Sequence, residues 1–238
     1  MMLDRGMVLM SDTRTNSGVD NISVFRKMYH WHSPGERVVT LMTAGNLATT
    51  QSVVSQIEER TKAPSERHNS VLEAPTMFQM ATMVGKLLHD TIQAQQAANG
   101  QDASGTFTAS MILAGQIAGM EPRLFLIYPE GNFIEASFDT PFFQIGETKY
   151  GRPILLRGYD RTMSFEDAVK LLLVSFDSTL KANLSVGLPL DLLFYEKETF
   201  KVGLKKRIAQ DDPYYRTISD GWSNALKAAF KSLPDFPE

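Results

Sequence analysis

Short apolar segments dominate the beginning of the chain. Met7 to Met10 is an apolar run that follows a turn at Asp4-Arg5-Gly6. The β-branched and aromatic content of Val24 to Trp31 and of Arg37 to Thr43 predicts two further strands. The segment up to Gly45 is therefore expected to be mostly β-sheet.

After Gly45 the apolar positions recur at the spacing of an α-helix. Val53, Val54 and Ile57 indicate one helix, and the apolar positions between Met77 and Ile92 indicate a longer second helix. Four apolar segments then predict a return to extended structure. They are Thr106 to Ile117, Leu124 to Tyr128, Phe133 to Phe138 and Phe142 to Ile145.

The last third of the chain combines helices and strands. Ser164-Phe165-Glu166-Asp167 resembles a capping box and predicts a helix that runs to about Ala182. A strand from Leu188 to Tyr195 follows, with Phe200 to Ile208 as a possible hairpin partner. A final amphipathic helix is expected from Trp222 to Leu233.

This order of elements favours an α+β fold over a doubly wound parallel sheet. The hairpins imply antiparallel strands, and the helices come in groups rather than between successive strands. Two antiparallel sheets between helical layers fit the order. We expect residues 1–238 to form a single domain.

Composition narrows the possible functions. The chain has 238 residues, a net charge of -3 and no cysteine. This balance argues against a nucleic-acid or anionic-membrane binder, and the missing cysteines exclude disulfides and thiolate metal sites. No apolar stretch is long enough for a membrane span, and the opening residues do not form a signal peptide. These features are compatible with a cytoplasmic protein.

Familiar phosphate-binding, nucleophile-elbow and zinc-protease motifs are missing. His30 and His32 flank Trp31 and could begin a metal site, but no third ligand is recognisable, so a structural role is favoured. Lys205-Lys206-Arg207 is too short for a nucleic-acid patch and is interpreted as a solvated face. We expect no metal and no cofactor.

Three stretches carry a specific resemblance. They are Ser-Asp-Thr-Arg-Thr-Asn from Ser11, Phe-Arg-Lys-Met from Phe25 and Thr-Ala-Gly-Asn-Leu-Ala-Thr-Thr from Thr43. Together they resemble the signature of proteasome-type threonine peptidases, specifically the bacterial Anbu branch. The resemblance implies the αββα four-layer sandwich of N-terminal-nucleophile hydrolases, in agreement with the element order.

The same resemblance assigns roles to individual residues. It implies that Asp12 and Lys27 are a catalytic ion pair that assists a threonine nucleophile, whose own α-amine is the base. It implies that the backbone N–H of Gly45 faces the oxyanion. The remaining implied residues bind substrate: Thr15, Phe25, Thr43 and Leu47 line the specificity pocket, and Asn16 holds the substrate backbone.

The chain departs from this family pattern in several places. The catalytic threonine is expected about five residues before Met1, so the first strand is expected to be truncated at the N-terminus. Glu147 lies near the position of a supporting serine, and Asn183 stands where an aspartate is usual. Val186 stands where a second serine is common, and the adjacent Ser185 is a possible substitute.

Three hypotheses follow. The first is a cytoplasmic threonine-type endopeptidase subunit that acts on peptides or unfolded proteins within a homo-oligomeric ring or helical assembly. The second is a non-catalytic structural subunit of such an assembly. The third is an N-terminal-nucleophile amidohydrolase that acts on a small amide. The resemblance also implies ATP-grasp and glutamine-synthetase-like ligases, together with transglutaminases, as operon partners.

Overall fold

A computed structural model describes residues 1–16, 22–62, 70–99 and 107–237. The described residues form eleven strands and five helices. The strands are β1 (Met2–Leu3), β2 (Gly6–Ser11), β3 (Arg14–Asn16), β4 (Ile22–Val24), β5 (Met28–Ser33), β6 (Arg37–Gly45), β7 (Ala109–Ile117), β8 (Arg123–Ile127), β9 (Phe133–Glu135), β10 (Leu190–Glu196) and β11 (Lys205–Ile208). The helices are α1 (Leu47–Lys62), α2 (Met77–Asn99), α3 (Arg152–Gly158), α4 (Phe165–Ala182) and α5 (Pro213–Lys231).

Two antiparallel sheets form the centre of the molecule. One has the strand order β1-β2-β10-β11, and the other has the order β5-β6-β7-β8-β9. Leu9 pairs with Leu193 in the first sheet, and Leu41 pairs with Leu113 in the second. Strands β3 and β4 form a separate two-stranded ribbon.

The central strands are buried on both faces. All six residues of β2 are buried, because one face meets the other sheet and the opposite face meets the helical layer. Strands covered on both sides have near-continuous apolar sequences rather than alternating ones. This explains why Met7 to Met10 was recognisable only as a short apolar run.

Three hydrophobic layers hold the elements together. Val54 and Val84 pack with the five-stranded sheet, and Leu173 packs with Leu192 of the four-stranded sheet. The layer between the sheets contains Leu9 among its buried residues. The helices therefore cover the outer faces of both sheets, and the predicted αββα sandwich is confirmed.

Local signals explain several helix boundaries. The Ser164 hydroxyl accepts a hydrogen bond from the Asp167 N–H at 3.0 Å, as the capping-box pattern predicted. The helix near the C-terminus begins at Pro213 rather than at Trp222. Asp212 caps it by accepting from two backbone N–H groups, and proline is favourable in the first turn.

Other boundaries also differ from the prediction. Val24 to Trp31 does not form one strand, since the chain leaves regular pairing at residues 25–27, between β4 and β5. Phe142 to Ile145 is not part of a sheet, although Phe142 is buried. Helix α3 was not predicted. Strand β7 begins at Ala109, and residue 106 lies outside the described residues.

Candidate active site

A cavity of about 350 Å³ opens at one end of the sandwich. Its walls include parts of β2, β3 and β6, the residue before β5, and the loops that precede α3 and β10. The first turn of α1 and one face of α4 also border it. The residues that border it include Met10, Ser11, Asp12, Arg14, Thr15, Lys27, Thr43, Gly45, Leu47, Gln144, Gly146, Glu147 and Ser185. Residues that are far apart in the chain therefore meet at this one site.

Asp12 and Lys27 form an ion pair at this cavity. The Lys27 Nζ donates to the Asp12 Oδ1 at 2.7 Å. The other oxygen of Asp12 accepts from the backbone N–H groups of Arg14 and Gly187, each at 3.2 Å. Both side chains are mostly buried, with 12% of Asp12 and 20% of Lys27 exposed. The carboxylate is thus fixed by three donors.

The ammonium of Lys27 has unused hydrogen-bonding capacity. A lysine ammonium carries three N–H donors. Among the described residues, Asp12 is the hydrogen-bond acceptor recorded for Lys27. The remaining donors are available to a group bound in the cavity. An ammonium in this position can stabilise negative charge that develops on a bound substrate.

Two backbone contacts position the pair. Asp12 directly follows the buried strand β2, and Lys27 directly precedes β5. The Lys27 carbonyl accepts from the Thr43 N–H at 2.9 Å, and the Phe25 N–H donates to the Thr13 carbonyl at 2.8 Å. These contacts hold the irregular segment 25–27 beside both sheets. The break between β4 and β5 therefore places Lys27 at the cavity.

Gly45 is required by the backbone at the end of β6. Its φ angle is +108°, and an added Cβ would lie 2.5 Å from the Thr108 carbonyl oxygen. A side chain would be strained in this conformation and would also collide with β7. Gly45 borders the cavity. Its assignment as an oxyanion donor stays a prediction.

The expected substrate-binding residues divide into two groups. Thr15, Thr43 and Leu47 border the same cavity as Lys27. Phe25 is half-buried and is not among the residues that border this cavity. The backbone of Asn16 lies in β3, but its side chain is outside the described part of the structure.

Arg14 and Gly187 were not predicted to belong to the site. The guanidinium of Arg14 donates to the Leu184 carbonyl at 3.0 Å. A Cβ on Gly187 would lie 2.0 Å from the Arg14 Nε, so glycine is needed where this side chain crosses the loop. The neighbouring N–H of Gly187 then reaches Asp12. In the sequence, the glycine at position 187 was the one signal for the contact between this loop and Asp12.

Glu147 and Asn183 form a second polar contact at the cavity. The Asn183 amide donates to a Glu147 oxygen at 2.7 Å, and its own oxygen accepts from the Ser185 N–H. The Lys149 backbone N–H and the Asn183 amide lower the pKa of Glu147. Glu147 and Asn183, which both depart from the family pattern, are therefore hydrogen-bonded to each other. Val186 and Ser185 border the same cavity.

Two buried polar atoms at the cavity have no hydrogen-bond partner in the described structure. They are the Ser11 hydroxyl oxygen and the Gln144 side-chain oxygen. Buried polar groups are normally paired with protein, water or ligand. The cavity therefore offers polar contacts in addition to the Lys27 donors.

The described residues contain no cluster of side chains suited to hold a metal ion. No group of three histidine, aspartate or glutamate side chains there is close enough to hold an ion. His30 and His32 lie two residues apart on β5, opposite Thr40 and Val38. None of the described helices is both long and apolar enough to cross a bilayer.

The two antiparallel sheets between helical layers, with a lysine–aspartate pair and a glycine of positive φ beside one cavity, are the features of a subunit of the proteasome type. The pattern of the proteasome subunit family matches residues 1–187. The chain belongs to this family, in its Anbu (ancestral beta-subunit) branch.

Individual relatives support this assignment. Anbu from Yersinia bercovieri is 42% identical, with a TM-score of 0.91 over 100% of this chain and 98% of that one. Anbu from Hyphomicrobium sp. strain MC1 is 48% identical, with a TM-score of 0.88 over 99% and 97%. A proteasome subunit beta from Methanopyrus kandleri is 24% identical and is aligned over 79% of this chain and 80% of its own length.

Proposed function

We propose that this protein is a threonine-type endopeptidase subunit of a proteasome-like assembly. The observation that carries the proposal is the Asp12–Lys27 pair, whose ammonium borders the cavity beside Gly45. The nucleophile is an N-terminal threonine, which the family pattern sets about five residues before Met1. The substrate is a peptide or an unfolded protein.

The proposed reaction uses the threonine as both nucleophile and base. Its neutral α-amine accepts the hydroxyl proton while the oxygen attacks the scissile carbonyl. Lys27 favours the neutral amine and stabilises the developing negative charge, and the N–H of Gly45 donates to the oxyanion. The α-ammonium of the threonine, formed in the first step, then protonates the leaving amine. Water hydrolyses the resulting ester and returns the threonine.

Assembly with further copies is part of the same proposal. A solved Anbu relative from Pseudomonas aeruginosa, 41% identical to this chain, is described as a helical assembly. The C-terminal part of this chain carries exposed apolar side chains that such contacts would cover. They include Leu226, which is 50% exposed, Phe230, which is 76% exposed, and Leu233, which is 63% exposed.

The alternative is a non-catalytic structural subunit of the same assembly. The exposed side chains of Leu226 and Phe230 favour it equally, because they concern association and not chemistry. An amidohydrolase acting on a small amide is a further possibility, since the same catalytic groups serve amides other than peptide bonds.

The first test is the N-terminus of the native protein, measured by intact mass and N-terminal sequencing. A mature chain that begins with threonine should cleave a peptide library, and replacement of that threonine by alanine should abolish the cleavage. A native chain without an N-terminal threonine overturns the peptidase proposal and leaves the structural subunit. Release of a small carboxylate without peptide cleavage favours the amidohydrolase.

A matched pair of lysine variants tests the role of the cavity. Lys27→Met should lower the rate of cleavage by about a thousandfold, whereas Lys86→Met should retain it. Lys86 forms an ion pair of similar length, 2.9 Å, with Asp90 on the exposed face of α2. Equal activity in both variants would overturn the assigned role of Lys27.

A further inference from the structure

A second cleft lies where the edges of the two sheets meet. Strand β5 is an edge of the five-stranded sheet, and β11 is an edge of the four-stranded sheet. The cleft between them is about 230 Å³, and its lining residues come from β5, β10, β11 and Arg26. Among the described residues it shares none with the Asp12–Lys27 cavity. It is therefore a separate site.

Positive charge dominates this cleft. Four cationic side chains border it, namely Arg26, Lys205, Lys206 and Arg207, against the single carboxylate Asp191. The whole chain, by contrast, has a net charge of -3. The cleft thus concentrates positive charge on a protein that is acidic overall.

Only two of the four cations are neutralised within the described structure. Arg207 binds both oxygens of Asp191, at 2.7 and 2.8 Å. Lys206 binds Asp212 at 2.7 Å. Arg26 and Lys205 have no carboxylate partner among the described residues, and both are exposed to solvent. Arg26 lies in the irregular segment before β5 and Lys205 lies on β11, and each has N–H donors without a carboxylate partner.

His30 borders the same cleft as these two cations. Burial lowers the pKa of His30, and the charges of Lys205, Arg26 and His32 lower it further. The charges of both cations therefore act on the imidazole. The neutral ring supplies an additional N–H donor or an acceptor.

Lysine on an exposed edge strand has a common structural role, because it discourages pairing with other strands. That role requires side chains that point to solvent along one edge. Here Arg26 and His30, from β5 and the segment before it, border one cleft together with Lys205 from β11. Arginine and lysine with unpaired N–H donors are typical ligands of phosphate oxygens, so these side chains suit a small oxyanion.

We propose that this cleft binds a small anion of the phosphate class, held by Arg26 and Lys205 with His30 as the third contact. Arg207 and Lys206 add favourable charge, while their carboxylate partners keep them in place. The site does not depend on the proposed peptidase activity. It can therefore be tested whether or not the protein cleaves peptides.

The experiment is a calorimetric titration of the full-length protein with pyrophosphate, at neutral pH, in a phosphate-free buffer of low ionic strength. We expect saturable binding with one site per protomer. The double variant Arg26→Gln/Lys205→Gln should weaken binding about tenfold or more, because it removes two charged hydrogen-bond donors.

The matched control is Lys227→Gln/Lys231→Gln, which removes the same charge from the exposed end of α5. This control should bind pyrophosphate as the unmodified protein does. A thermal unfolding curve for each variant establishes that it is folded. Inorganic phosphate that binds as tightly as pyrophosphate would identify a site for a single phosphoryl group.

Three outcomes would overturn the proposal. The first is the absence of saturable pyrophosphate binding. The second is an equal loss of affinity in both double variants, which would indicate a general effect of net charge. The third is binding of an acidic peptide but not of pyrophosphate, which would assign the cleft to a protein partner instead.

Discussion

Two lysine–aspartate pairs in this molecule have almost the same length and different surroundings. Lys27 meets Asp12 at 2.7 Å, and Lys181 meets Asp177 at 2.8 Å. The first pair joins segments that are separated by 15 residues, and it borders the cavity. The second pair spans one turn of α4, with 2% of Asp177 and 54% of Lys181 exposed.

The difference lies in the donors that each ammonium has left. Lys181 donates to Asp177 and to the hydroxyls of Ser219 and Ser223, each at 3.1 Å, so its three N–H groups are used. Asp177 also accepts from the Tyr215 hydroxyl. This pair fastens α4 to α5. Lys27 keeps donors for a ligand, so we infer that one pair serves stability and the other serves chemistry.

The largest expected effect is on catalysis. Lys27→Met should lower the rate of peptide cleavage by about a thousandfold, because the ammonium that assists the nucleophile is lost. Fluorogenic peptide hydrolysis by the mature protein measures this rate. Thermal unfolding should change less than activity, since Asp12 keeps its hydrogen bonds from the Arg14 and Gly187 N–H groups. A variant that keeps most of its activity contradicts the contrast between the two pairs.

The next largest effect is on stability. Asp177→Ala should lower the free energy of unfolding by about 3 kcal/mol, because Lys181 and Tyr215 both lose a charged partner. Urea unfolding followed by circular dichroism measures the change. Peptide cleavage per folded molecule should stay the same. A large loss of specific activity would show that the helical layer also controls the cavity.

Alkaline pH should weaken the contact between Tyr215 and Asp177. Burial, followed by the charge of Asp177, raises the pKa of Tyr215 from 10.0 to about 12. Above pH 10 the unfolded chain loses this proton first, so stability falls as the pH rises from 10 towards 12. The contribution is about 2 kcal/mol. Urea unfolding of the wild type and Tyr215→Phe across this range should show their difference shrink, and a constant difference would argue against this assignment.

The smallest effect is expected for an exposed pair. Lys86 and Asp90 lie one turn apart on α2, with 76% and 53% of their side chains exposed. Asp90→Ala should change the free energy of unfolding by less than about 0.5 kcal/mol, because water screens the pair. Urea unfolding beside Asp177→Ala provides the baseline. If Asp90→Ala lowered the free energy of unfolding as much as Asp177→Ala, burial would not explain the difference between the two helical ion pairs.

Sequence patterns were most informative where structure depends on near neighbours. The Ser164 cap and the buried apolar run of β2 follow from local rules, and the structure contains both. The strand predicted from Val24 to Trp31 was wrong in its middle. Its β-branched and aromatic content could not reveal that residues 25–27 pair irregularly with Thr13 and Thr43.

The candidate site was only partly accessible from the sequence. The family resemblance pointed to Asp12, Lys27 and Gly45, whose catalytic roles stay predictions, and the structure brings all three to one cavity. Gly187 was not foreseen as a donor to Asp12, since the two are separated by 175 residues. The link between Glu147 and Asn183 likewise depends on how two distant loops meet.

Apart from α3 and the segment 142–145, the sequence by itself determined the order of the main strands and helices, and it also determined the family and the residue types available for chemistry. Burial periodicity and capping act over a few residues, so they can be recognised along the chain. The tertiary structure alone decided which ammonium keeps free donors and which cations meet at the cleft between β5 and β11. Both depend on contacts between distant segments, which no local pattern records.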